Sequence, residues 1–156
     1  EAKIRLGDLS GGLEDLNTWS NNYLRSGVAK RTFTQDEIVA YYKALPYADK
    51  TTRSPKKHLT KAHFKLHDGS SITEGTATEA LLQYVLQCRR ILTLHEGLRW
   101  QDIKRFGIDV YRWKKIDAGA DTFAVPEDGV LLGTDLRQAI ALPQQAVVGK
   151  IQQNPR

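Results

Sequence analysis

The sequence predicts a mostly α-helical fold with small irregular β elements and a coil-rich C-terminal tail, and three observations carry that prediction. Thr34-Gln35-Asp36-Glu37 and Thr76-Ala77-Thr78-Glu79 each stand just before an apolar run. In such a box the threonine hydroxyl accepts from the third backbone N–H of the helix while the glutamate reaches back, so donors at the helix start are satisfied. Leu9, Leu13, Leu16, Trp19 and Tyr23 recur at helical spacing. After Gly107 the periodicity fades, leaving only Phe123-Ala124-Val125 and Ile140-Ala141-Leu142 as short extended segments, each stopped by a proline.

Taken in order, Glu1 to Gly7 reads as the end of a helix closed by glycine, and Asp8 as the cap of the next, so residues 1–25 are expected to be helical around that break. Helix end, Gly-Asp, helix resembles half of a tetratricopeptide unit, so a tetratricopeptide-like helical scaffold is expected. Such units need stacked neighbours, which would lie upstream and leave an apolar face open around Ile4 and Leu6. The box at Thr34 opens a helix carrying Ile38, Val39, Tyr41, Tyr42 and Leu45, with at least one tyrosine in the core, and Pro46 stops it. Residues 46–61 form a loop. Between Lys50 and Lys65 lie Lys50, Arg53, Lys56, Lys57, Lys61 and Lys65 with no acid, a run expected to be solvated. His63 to Ile72 suggests a small hairpin around Asp68-Gly69. From Ala80 to Leu94 apolar residues cover every side of a helix, the mark of a central, buried one. Arg89 and Arg90 in its middle then require partners, and the nearest acids are Glu79, Glu96 and Asp102. Gly97 can end this helix, and Leu98 to Phe106 gives a short one closed by Gly107.

Composition bounds the function. A chain of 156 residues, 40% hydrophobic and 26% charged, is one ordinary globular domain or the end piece of a larger one. No stretch of 18 apolar residues exists to span a bilayer, and any export signal is expected upstream of residue 1. Cys88, the single cysteine, excludes an intramolecular disulfide and reads as a buried, inert thiol. His63 and His67 are four apart, but Phe64 and Leu66 alternate between them as on a strand, so these two and His58 read as surface histidines and no metal or cofactor is expected. Gly11-Gly12 lacks the lysine and strand of a phosphate loop, and no serine sits in a nucleophile elbow. No catalytic site is expected. The net charge of +5 and the basic run raise a nucleic-acid-binding domain as one alternative, and the helical unit raises a repeat-type protein-interaction module as another.

One segment is more specific. Arg89-Arg90, Glu96-Gly97, Arg99-Trp100, Asp102, Arg105 and Gly107 stand in the order and spacing of the C-terminal signature of SusD/RagB-type nutrient-binding lipoproteins, which the chain resembles. Leu142-Pro143 and Asn154-Pro155 resemble that family's closing segments, and Leu6-Gly7-Asp8 through Asn17 its last tetratricopeptide-like unit. Gln145 stands where a glutamate is usual, and Cys88 and Leu92-Thr93 where acids usually flank the arginines. The resemblance makes 1–156 the C-terminal portion of such a protein: 1–25 the end of a helical unit, 26–75 a variable loop region, 76–156 the signature helices and tail.

It implies a non-enzymatic protein on the outer leaflet of the outer membrane, facing the exterior and held by an N-terminal lipid outside this chain. It also implies a SusC-like TonB-dependent transporter as partner and an oligosaccharide, less often a peptide, as ligand, with no nucleic acid. In the signature, Glu96 and Asp102 are expected to neutralise Arg89, Arg90 or Arg99, Gly97 to allow the chain reversal and Trp100 to fill core; the competing reading makes Glu96 and Asp102 an acid pair with Arg99 as clamp. Tyr111 and Trp113, flanked by Arg112, Lys114 and Lys115, are the candidate ligand contacts, although the resemblance implies a platform built largely upstream.

Overall fold

The computed structural model describes residues 1–24, 26–53, 56–57, 59, 72–117 and 122–135. The fold among them is mostly helical: α1 spans Ala2–Arg5, α2 Leu9–Asn22, α3 Gln35–Ala44, α4 Ala77–Leu92 and α5 Arg99–Phe106. Local capping chemistry sets the starts and stops. Gly7, at φ 89°, lets the Asp8 N–H reach the Lys3 carbonyl (2.9 Å) and its own N–H the Ile4 carbonyl (3.2 Å), which closes α1. The Asp8 carboxylate then accepts from the Gly11 N–H at 2.9 Å and opens α2. The box at Thr34 forms both its bonds, Glu37 N–H to the Thr34 hydroxyl and Thr34 N–H to the Glu37 carboxylate.

The second box forms by half. The Thr76 hydroxyl accepts from the Glu79 N–H at 3.4 Å, but the Glu79 carboxylate takes the Gly75 N–H at 2.6 Å. Its other oxygen receives the Tyr47 hydroxyl at 3.1 Å and lies 3.4 Å from the Lys57 ammonium. Lys57, 3% exposed, also lies over the Tyr47 ring. The expectation of a solvated basic run is therefore corrected at this position, because Glu79, far off in sequence, pairs with Lys57 inside the protein.

Helix α4 is central and packs against α1, α2 and α3. Leu81, Leu82 and Leu86 are buried, as are Val85 and Cys88. The expectation of burial all round holds to Cys88 and fails beyond it: Ile91, Leu92 and Leu94 are exposed, and the helix stops at Leu92. A second correction concerns Ile4, which is 1% exposed and sits on Gly12 of α2, while Leu6 is exposed as expected. An added Cβ at Gly12 would overlap the Ile4 side chain, so glycine is what lets α1 approach.

Side-chain carboxamides tie down the 31–33 strap and Leu59. Asn17 donates to the Phe33 carbonyl and accepts from its N–H, both at 2.9 Å; Asn21 does the same for Arg31 at 3.0 and 2.9 Å. Residues 31 and 33 alternate as on a strand, and 17 and 21 lie one turn apart on α2, so one helix face reads the strap as a neighbouring strand would. Gln83, fully buried on α4, holds Leu59 by the same two bonds, each 3.3 Å.

Beyond α5 the chain forms two-residue strands. β1 (Val110–Tyr111) pairs antiparallel with β4 (Val130–Leu131), and β2 (Lys114–Lys115) with β3 (Phe123–Ala124). Only β3 was legible as an extended segment. The expected turn at Asp68-Gly69, the segment 140–142, Leu142-Pro143, Gln145 and Asn154-Pro155 lie outside the described residues, as do His58, His63, His67, Lys61 and Lys65.

Candidate functional site

The signature segment folds as α4, a turn and α5. Asp102, 1% exposed, accepts from Arg89 through Nη2 at 2.7 Å and Nε at 3.2 Å, a two-point contact that ties the two helices. Glu96 is exposed and forms no ion pair among the described residues, so its expected share in neutralising the arginines is corrected: the turn carries it outward. It also forms no acid pair with the buried Asp102. Gly97 does turn the chain at φ 74°, and His95 joins it in the left-handed region at φ 71°. Trp100 is half-buried and outside the core cluster, where Phe106, Ile103 and Ile108 serve instead; the expectation that it fills core is corrected.

Arg90 Nε donates to the Gln87 side-chain Oε1 at 3.2 Å and Arg105 pairs with Glu1 at 2.7 Å. Arg99 is largely buried and its Nη1 has no hydrogen-bond partner among the described residues. Burial lowers its pKa, with the Asp102 charge opposing and Arg90 adding to the shift. Of the expected partners, then, one acid serves one arginine.

Tyr111 lies on β1 and Trp113 just before β2, both half-buried. The Tyr111 hydroxyl donates to Asp109 at 3.3 Å, and Lys56 lies 5.8 Å from its ring centre. The Trp113 Nε1 is buried with no acceptor among the described residues. Nearby contacts are charged and crowded: Arg53 stacks 3.6 Å over Phe123, and Lys114 is 3.8 Å from Asp128. The two residues share a region, but no cavity with both in its wall is described.

A cavity exists elsewhere. An open cleft of about 620 Å³ lies between the 31–33 strap, α3 and α4, walled by Phe33, Ile38, Tyr41, Tyr42 and Tyr84, with Arg31 and Glu37 beside them. That volume falls in the range of small-molecule sites. Tyr41 is 55% exposed and Tyr42 only 7%, so α3 turns one tyrosine outward and one inward, which meets the expectation of at least one in the core. Their rings meet edge to face at 5.2 Å, and Phe33 and Tyr84 do so at 6.2 Å. Arg31 lies 4.7 Å over the Phe33 ring and pairs with Glu37 at 2.9 Å.

Phe33 and Ile38 occupy the flanking positions of a hydrophobic staple around the Thr34 cap, a signal that would have brought Phe33 forward. Tyr84 gave no signal beyond its place on an apolar helix.

Among the described residues no group of three or more His, Cys, Asp or Glu could hold a metal ion, and no helix is long and apolar enough to cross a membrane. Burial pushes the Cys88 thiol up to about 12. Comparison of the chain with protein-family models, with curated proteins and with solved structures finds no match.

Proposed function

We propose that this chain is the C-terminal portion of a SusD/RagB-type protein, a non-enzymatic nutrient-binding lipoprotein of the outer membrane built on a tetratricopeptide-like helical scaffold. One observation carries the reading. The residues in signature order, Arg89-Arg90 through Gly107, fall on a single helix–turn–helix whose arms are tied by Arg89 and Asp102. A scaffold motif asks for that, since a two-point guanidinium–carboxylate contact sets both the distance and the angle of a helix junction. The aromatic cleft adds support, because capture for transport needs ring faces and a concave wall rather than reactive groups. On this reading the protein docks on a SusC-like TonB-dependent transporter and hands it an oligosaccharide or peptide.

The test is isolation of the tagged, intact gene product from its native membranes under mild detergent. Co-isolation of an outer-membrane transporter of the TonB-dependent class is expected. Recovery from the soluble fraction without such a partner would remove the reading and leave a helical interaction module in its place.

A further inference from the structure

We infer that Arg90 and Arg99, where α4 turns into α5, form a site for a phosphate-type oxyanion, either free phosphate or the terminal phosphate of a larger molecule. The inference stands apart from the nutrient-binding reading, which rests on the neighbouring lock of Arg89 and Asp102.

The fold leaves these two charges unbalanced. At the junction Arg89, Arg90 and Arg99 share one buried acid, Asp102, and both Asp102 oxygens accept from Arg89. Glu96, on the turn between the helices, is exposed and forms no ion pair among the described residues. Arg90 donates its Nε to a neutral partner, Gln87 Oε1, and neither it nor Arg99 forms an ion pair among the described residues. Every acid of the chain except Asp68 and Asp121 is one of those residues. With Arg89 and Asp102 cancelling each other, two positive charges remain. They lie near enough to feel each other, since the Arg90 charge adds to burial in lowering the Arg99 pKa.

Arg99 sets the demand for a counter-ion. Its Nη1 is sealed from water with no acceptor among the described residues, while the residue as a whole stays part-exposed. A cation so placed is unfavourable without an anion beside it. Its position adds to the cost: Arg99 is the first residue of α5, where the helix end carries positive partial charge. Arg90 stands in the last turn of α4, where the helix dipole favours a cation, so local structure accounts for Arg90 and not for Arg99. An anion on the open side of Arg99 answers both the missing counter-ion and the helix start.

Charge and shape select the occupant. The Arg89–Asp102 contact shows what a carboxylate does here: its two oxygens serve one guanidinium. A second carboxylate would serve Arg99 or Arg90 and leave the other as it is. A phosphate group carries about −1.5 to −2 charge at neutral pH and three strong acceptor oxygens, so it can meet two guanidinium groups at once.

The test is calorimetric titration of the intact protein at neutral pH with inorganic phosphate, glycerol phosphate and acetate, with chloride holding the ionic strength constant. A phosphate compound is expected to bind at a single site, with acetate weaker by about tenfold or more. Arg90→Gln and Arg99→Gln should each lower phosphate affinity about tenfold or more, and Arg90→Lys, which keeps the charge without the fork, only a fewfold. Arg105→Gln removes the same charge from an exposed pair with Glu1 and should leave the affinity within about twofold. Circular dichroism checks each fold, and if Arg99→Gln does not fold, the part-exposed Arg90 decides alone. Binding of glycerol phosphate makes the occupant a terminal phosphate group, and binding of inorganic phosphate alone makes it the free anion. Acetate binding as tightly as phosphate overturns the ligand class. Equal losses in Arg105→Gln and Arg90→Gln reduce the site to diffuse attraction and overturn it, as does the absence of binding by either phosphate.

Discussion

Asp102 has almost no contact with water, whereas its partner Arg89 keeps 41% of its side chain exposed. The pair therefore stands between the exposed limit of about 0–1 kcal/mol and the buried limit of about 3–5 kcal/mol for loss of one member. Asp102→Asn is expected to cost about 2–3 kcal/mol, between those limits. Glu96→Gln, at an exposed site, should change stability by no more than about 0.5 kcal/mol. Denaturant midpoints of both variants check the pair, and a costly Glu96→Gln would move the lock to the other acid. The Cys88 thiol gives a second, pH-based prediction. Its ordinary value is 9.0, and burial holds it at about 12 in the fold. Between those values the unfolded chain releases a proton that the native state keeps. The native state then binds more protons, so stability falls as pH rises. The loss starts near pH 9, below the ordinary tyrosine range at about 10, where Cys88 carries it without tyrosine contributions. Between pH 8.5 and about 9.5, wild type should lose more stability than Cys88→Ala in urea melts.

At the scale of elements, Gly12 reverses a general rule. An alanine in a helix interior is usually better than glycine by about 1 kcal/mol. Here the new Cβ would run into Ile4, a fully buried side chain held by the α1–α2 turn, and Ile4 has nowhere exposed to go. Gly12→Ala is therefore expected to destabilise by about 1–3 kcal/mol, the cost of overpacking. A raised thermal midpoint would show that α1 slides freely on α2. What the sequence made legible among these elements were the local features. Asp8, Thr34 and Gly7 act within four residues of themselves, so caps and stops could be read directly. Contacts set by distant residues could not: Asn17 finds Phe33 sixteen residues away, and Gln83 finds Leu59 twenty-four away. Neither amide carries a sign that its partner is a strap. The two-residue strands are shorter than the run of about four to eight residues over which alternation is read.

For the molecule as a whole, the candidate site was half visible. Helical spacing put at least one ring of the Tyr41–Tyr42 doublet in the core, but the cleft needed Phe33 and Tyr84, which only the packing of the strap on α4 brings together. Charge was misread for the same reason. The basic run counted Lys57 as solvent-facing, yet Tyr47, in the loop after α3, and Glu79, at the start of α4, enclose it. With Lys57 withdrawn, at most five cations of the Lys50–Lys65 run can meet a polyanion. Each phosphate contact contributes about −0.9 to the slope of log K against log salt, so binding to duplex DNA should show a slope no steeper than about −4.5. Glu79 sets the complementary condition: in Glu79→Gln the Lys57 ammonium loses its only ion-pair partner among the described residues, and the loop holding it is expected to loosen. Exposed cations also screen readily, over a Debye length of about 8 Å at physiological ionic strength. Fluorescence anisotropy of a labelled duplex, titrated from 50 to 200 mM salt, measures the slope. Fading of binding across that range is the expected outcome. A slope steeper than about −6, with binding that survives 200 mM salt, would require more phosphate contacts than this run can supply, and would make nucleic acid the better account of the net positive charge.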